Sequence, residues 1–210
     1  MKTDNLINAL VADRMPRGKL RWTLVAALLA GGLVSLVLFI AALGVRADIE
    51  PALGTWRFEI KVGLVLVALG LAFSLCIALS RPAAPAHPGR RLLPLAALAV
   101  LAVAIELFVV PSAAWANRLV GSNALVCLIA IPTLAIAPLA ALLAILRSGA
   151  PASPALAGGA AGLLAAAAAG ALYAFHCFDD SPLFVVTWYA LATLPVVALG
   201  AAIGHRLLRW

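Results

Sequence analysis

An all-α integral membrane bundle of six spanning helices, preceded by a short amphipathic helix, is the fold that three features of this sequence predict. Apolar residues make up 65% of the 210 positions and charged residues only 11%, against about half and about a quarter in soluble domains. The apolar residues gather into six runs, 22–44, 62–79, 92–110, 124–146, 155–175 and 183–204, each near the length a helix needs to cross hydrocarbon. Lys and Arg alternate in density between the runs. One side carries eleven, five of them within residues 1–21, and the other carries only Arg46, Arg57, Lys61 and Arg118. The positive-inside bias then predicts both termini in the cytoplasm.

These features divide the chain into a leader, 1–21, and a transmembrane domain, 22–210. The leader and the run that follows exceed the n- and h-regions of a signal peptide, so the leader is expected to stay attached. A formal charge of +7 would suggest nucleic acid in a soluble chain. Here the cations border apolar runs, where orientation and contact with anionic lipid of the bilayer account for them without nucleic acid. The longest connection, 45–61, is too short to enclose a core of its own. Soluble activity must therefore come from a recruited partner. The loop at 81–88 is proline-rich and reads as an extended spacer.

Within the leader, Leu6, Ile7, Leu10 and Val11 share one helical face. Thr3 or Asp4 suits its start, and Pro16 with Gly18 suits its end. Such a face fits either a lipid surface or the groove of a soluble partner. In the spans, Gly158-x-x-x-Gly162 and Gly200-x-x-x-Gly204 permit close helix approach, and Pro132, Pro138 and Pro195 favour kinks.

Reactive side chains concentrate at the outer side. Cys127 lies about one turn into the fourth run and Cys177 at the end of the fifth, so two consecutive antiparallel spans hold both thiols at similar depth. The pair could form a disulfide, or each could be a small buried hydrophobe. Cys76, in the inner half of the second run, reads as core. His176, Asp179 and Asp180 flank Cys177 and offer, with Cys127, ligands for a soft cation; adjacent acids before Ser181-Pro182 equally suit a helix start. Glu106, an acid inside the third run, is a functional candidate that Arg118 or His176 could pair. A transporter would need a longer polar path than the spans offer, and a quinone-linked thiol oxidoreductase would need a close cysteine pair that three separate cysteines do not supply.

The opening Met1-Lys2-Thr3-Asp4 with Leu6, Ile7 and Leu10, the six runs, Cys127, His176-Cys177 with its acids, Trp188, and the closing Gly204-His205-Arg206-Leu207-Leu208-Arg209-Trp210 together resemble the NrsF family of bacterial inner-membrane anti-sigma factors. The likeness covers essentially the whole chain. It implies a regulator without enzymatic activity or resident cofactor, whose leader helps hold an extracytoplasmic-function sigma factor inactive. It also implies that Cys127 and Cys177 sense oxidative or heavy-metal stress from outside, a transient metal ion drawing on Cys127, Cys177 and His176. The chain departs from the family pattern at Phe178 and Tyr189, where proline and histidine are frequent.

Overall fold

The computed structural model describes residues 17–82 and 86–209. The face of Thr3, Asp4, Leu6, Ile7, Leu10 and Val11 lies outside the described residues. Among them every regular element is helical: α1 (Arg17–Ala42), α2 (Ile49–Leu53), α3 (Trp56–Leu79), α4 (Leu93–Val109), α5 (Trp115–Val120), α6 (Ala124–Leu146), α7 (Pro154–Tyr173), α8 (Pro182–Phe184) and α9 (Ala190–Leu207), with a π turn at Val185–Tyr189 joining the last two. Six helical stretches are long and apolar enough to cross a membrane, in the same order as the six runs.

Helix α1 is described from Arg17 and runs through Gly18, so residues 17–21 are helical and continuous with the first span. One boundary departs from expectation. Helix α3 begins at Trp56, six residues before the second run, because Thr55 is extended and its Oγ1 accepts a hydrogen bond from the Phe58 N–H at 3.4 Å. A side-chain acceptor at that position satisfies one of the unpaired N–H groups of the first turn. The shift carries Lys61 from a predicted loop into a helix, where its side chain is fully buried.

Large apolar side chains face outward, among them Phe108, Leu125 and Trp22. Water would penalise such a surface and hydrocarbon would not. At the centre stands α7, packed against α3, α6 and α9 and built almost wholly from Ala, Gly and Leu. Its seam with α9 is as close as backbones allow. A Cβ on Gly158 would strike the carbonyl oxygen of Gly200, one on Gly200 would strike that of Gly158, and one on Gly162 would come within 2.5 Å of the Val196 oxygen. The two small-residue motifs therefore do form a packing seam.

The first helix meets α6 in a second close approach, and here proline is the cause. Pro138 has no N–H, so the carbonyl of Leu134 one turn earlier loses its helical partner. The Ser35 hydroxyl of α1 donates to that oxygen at 2.6 Å. Gly31, one turn before Ser35, has no side chain to keep the helices apart: a Cβ there would lie 2.5 Å from Pro138 Cα. A missing hydrogen bond thus becomes a specific link between spans. The helix itself continues unbroken through both prolines.

Replacing Gly158 by Val should lower the thermal unfolding midpoint of the detergent-solubilised protein, as overpacking a tight interface costs about 1–3 kcal/mol or more. Gly32, whose Cβ would meet open space, should accept Ala with an unchanged or slightly higher midpoint by circular dichroism.

Candidate functional site

The segment from His176 to Ser181 leads from the end of α7 to α8, and the side chains of His176, Asp179, Asp180 and Ser181 all bond to other parts of the chain. The N–H groups of His176 and Cys177 both bond back to the Tyr173 oxygen at 3.0 Å, which turns the chain off the end of α7. The turn buries the Cys177 side chain completely. Its carbonyl oxygen accepts from Lys61 Nζ at 2.7 Å and from an Arg46 guanidinium nitrogen at 3.1 Å.

Asp180 completes this cluster. Its carboxylate takes hydrogen bonds from Lys61 at 2.5 Å and from Arg46 at 2.9 Å. The other two guanidinium nitrogens of Arg46 hold Asp48 in a two-point pair at 2.7 Å. Phe178 and Phe58 lie against Arg46 at 5.0 and 5.8 Å, and Phe58 against Lys61 at 5.2 Å, so aromatic faces shield the cations. The Asp48 and Asp180 bonds keep Arg46 firmly charged. In turn the Arg46 hydrogen bond holds the Asp48 carboxyl below the usual carboxylate range. The contribution of that pair is therefore complete above the ordinary carboxylate value and fades only as the pH falls towards the lowered one.

Asp179 serves the other thiol. Its Oδ2 accepts from the backbone N–H groups of Ser122 and Asn123 at 3.0 and 2.8 Å and from the Asn123 amide at 3.0 Å. This caps the start of α6, one turn before Cys127. Gly121, at φ +59°, makes the approach possible, since a Cβ there would lie 2.7 Å from the Asp179 carboxyl carbon. Cys127 and Cys177 are both free, fully buried and part of one core cluster. Burial pushes the Cys177 thiol above its ordinary range, and the Lys61 ammonium opposes that only in part. At neutral pH it rests as the poorly nucleophilic thiol.

The metal-ligand set expected from the sequence is not assembled. Among the described residues no group of three or more His, Cys, Asp or Glu side chains is placed to hold a metal ion. His176 faces the Gly44 oxygen through Nδ1 at 3.0 Å, and both acids are committed as above. A soft cation would find only the two sulfurs. Glu106 is fully buried and pairs with Arg57 at 2.9 Å and with Arg118 at 3.6 Å, while the Ser181 hydroxyl donates to it at 3.0 Å. Arg118 was the expected partner; His176 plays no part, and Arg57 was not anticipated. Lys61 and Arg46 were missed as well. The available signal was Thr55, a residue suited to cap a helix that would carry Lys61, next to the apolar run, into its second turn. The hydroxyls of Tyr173 and Tyr189 are also buried, their rings 5.8 Å apart, with that of Tyr173 beside the Cys177 thiol.

Changing Asp180 to Asn should destabilise the protein by about 3–5 kcal/mol, because Lys61 would be left buried without a counter-charge. The Lys61→Met/Asp180→Asn double variant should recover much of that loss. Asp48→Asn should cost far less than Asp180→Asn, since that carboxylate is half exposed. Thermal unfolding in detergent orders the three.

The family model described as "Negative regulator of sigma F", NrsF, matches residues 9–210. Among curated proteins the chain is similar to the probable anti-sigma-F factor NrsF of Azospira oryzae, 35% identical over 216 aligned residues covering all of both chains. It is similar also to the anti-sigma-F factor NrsF of Caulobacter vibrioides, 34% identical over 219 aligned residues, again covering both in full. No solved structure matches. With the match running from the leader to the last residue, the chain belongs to the NrsF family.

Proposed function

We propose that this chain is a bacterial inner-membrane anti-sigma factor with both termini in the cytoplasm. Its leader and the loops beside it hold an extracytoplasmic-function sigma factor of the sigma-F kind, and Cys127 and Cys177, on the outer side, report oxidative or heavy-metal stress. Its task is regulation rather than catalysis. Family membership supports the sigma-factor half. The observation that carries the rest is the division of chemistry between the two ends. The described side-chain carboxylates all belong to the thiol end. At the opposite end, Arg81, Arg90, Arg91, Arg147 and Arg206 have no carboxylate partner among the described residues, a split that favours the cytoplasm for that end.

At rest the thiols are reduced, and the buried, protonated Cys177 resists casual oxidation. Oxidation to a disulfide, or capture of a soft cation by two thiolates, ties the start of α6 to the segment after α7. A tenfold weakening of sigma binding needs only about 1.4 kcal/mol of difference between two packings. A disulfide supplies about 2–4 kcal/mol.

Cys127→Ser and Cys177→Ser variants should still co-purify the sigma factor from detergent extracts, yet fail to release it when cells receive cadmium chloride or diamide; release equal to wild type in both variants would remove the sensing role. Deleting residues 1–11 should cut capture at least about tenfold, or about 1.4 kcal/mol. Undiminished capture would return that helix to the lipid surface.

A further inference from the structure

The thiol end and the start of α1 at Arg17 lie at opposite ends of the bundle, and three kinds of contact hold together the helices between them. The α7–α9 seam is one. Its glycines already bring backbone against backbone, so neither helix has room to slide towards the other. The α1–α6 contact is the second, and it too is set by close approach at Gly31 and Pro138. The third differs in kind: it is polar, and it grips Cys177 itself.

We infer that Lys61 and Arg46 are positioning residues that strap the Cys177 peptide to α1 and α3, and that this strap passes a change at Cys177 into those two helices. The inference rests on the sensing role proposed for Cys177. Cys177 is fully buried in the packed core, so a group added to Sγ overfills the space that side-chain rotation alone can offer and is relieved by a turn of the backbone at 177. That rotation swings the carbonyl of the same residue, the group that accepts from Lys61 and Arg46. Lys61 has no exposed side-chain surface, so its ammonium has no water with which to replace a lost bond. The helix must follow the carbonyl or forfeit the contact.

Both straps lead to the far end. Lys61 belongs to the second turn of α3, which continues without a break to Leu79 beside Arg81. Arg46 lies four residues past the end of α1, and its own N–H is fixed to the Phe175 oxygen at 2.9 Å. Helix α1 returns to Arg17, within the 1–21 leader. A turn of the Cys177 peptide thus reaches Arg17 and Leu79 through continuous helices.

The test uses the full chain in lipid nanodiscs, with Cys76 and Cys127 replaced by Ser and with methyl methanethiosulfonate as the probe, which leaves a methylthio group on Cys177. Extent of modification is read by intact mass and backbone opening by amide hydrogen exchange. With Lys61 present, modification should speed exchange in residues 40–46 and 56–61 at least about fivefold, while 154–173 stay unchanged. In Lys61→Met/Asp180→Asn, which keeps no buried unpaired charge, the same modification should alter 56–61 less than about twofold, and Lys61→Arg should restore the response. Equal responses with and without Lys61, or a wild-type response confined to 154–173, would overturn the strap. Because the readout contains no sigma factor, the strap succeeds or fails independently of whether modification of Cys177 releases the partner.

Discussion

A lysine with no exposed side-chain surface, held between a carboxylate and a peptide carbonyl, is the constraint on which the thiol end of this protein depends. Taking an ammonium out of water costs several kcal/mol, and only good geometry with further hydrogen bonds offsets it. Asp180, Arg46 and the Cys177 carbonyl meet that requirement together. The 177–180 backbone is therefore fixed by electrostatics rather than by regular secondary structure. It carries a thiol that burial keeps protonated, and it sends Asp179 across to cap the helix bearing the second thiol. Two sulfurs from different helices share one core because a charge cluster at the rim and a cap on the next helix both draw on the same short loop.

The remainder of the bundle is held by contact rather than charge. Between α7 and α9 the side chains vanish, leaving backbone against backbone. Between α1 and α6 a proline frees a carbonyl and a serine from the neighbouring helix takes it up. Dispersion and single hydrogen bonds of this kind carry helix association where lipid gives no hydrophobic drive. The molecule thus combines a tightly seamed body with one polar, chemically sensitive corner. In the reading proposed for this member of a family of negative regulators of a sigma factor, the polar corner receives the signal and the seamed body carries the partner.

Much of this was legible in the residues. Six apolar runs became six helices long and apolar enough to cross a membrane, because length and hydropathy decide that outcome almost alone. The glycine spacings permitted the close approach that α7 and α9 make, and equal depth put Cys127 and Cys177 at one end, with a disulfide and simple burial both open. Other features were hidden for physical reasons. Lys61 read as a loop charge since hydropathy penalises a cation whether or not it is paired, and only Thr55 hinted that the helix starts earlier. Asp179 and Asp180 read either as ligands or as the start of a helix, yet one caps α6 and the other takes Lys61 and Arg46. The link between Ser35 and Pro138 joins residues a hundred positions apart, and no local pattern announces it.

The central claim is that the thiols and the leader lie on opposite faces of the membrane. The native thiols are buried, so reporters must stand beside them: Phe178, 48% exposed, and Arg90, exposed at the other end, each changed to Cys in a chain whose own cysteines are Ser. A membrane-impermeant maleimide added to intact spheroplasts should label position 178 at once and position 90 only after lysis. Labelling of position 90 in intact spheroplasts, with position 178 protected, would contradict the account.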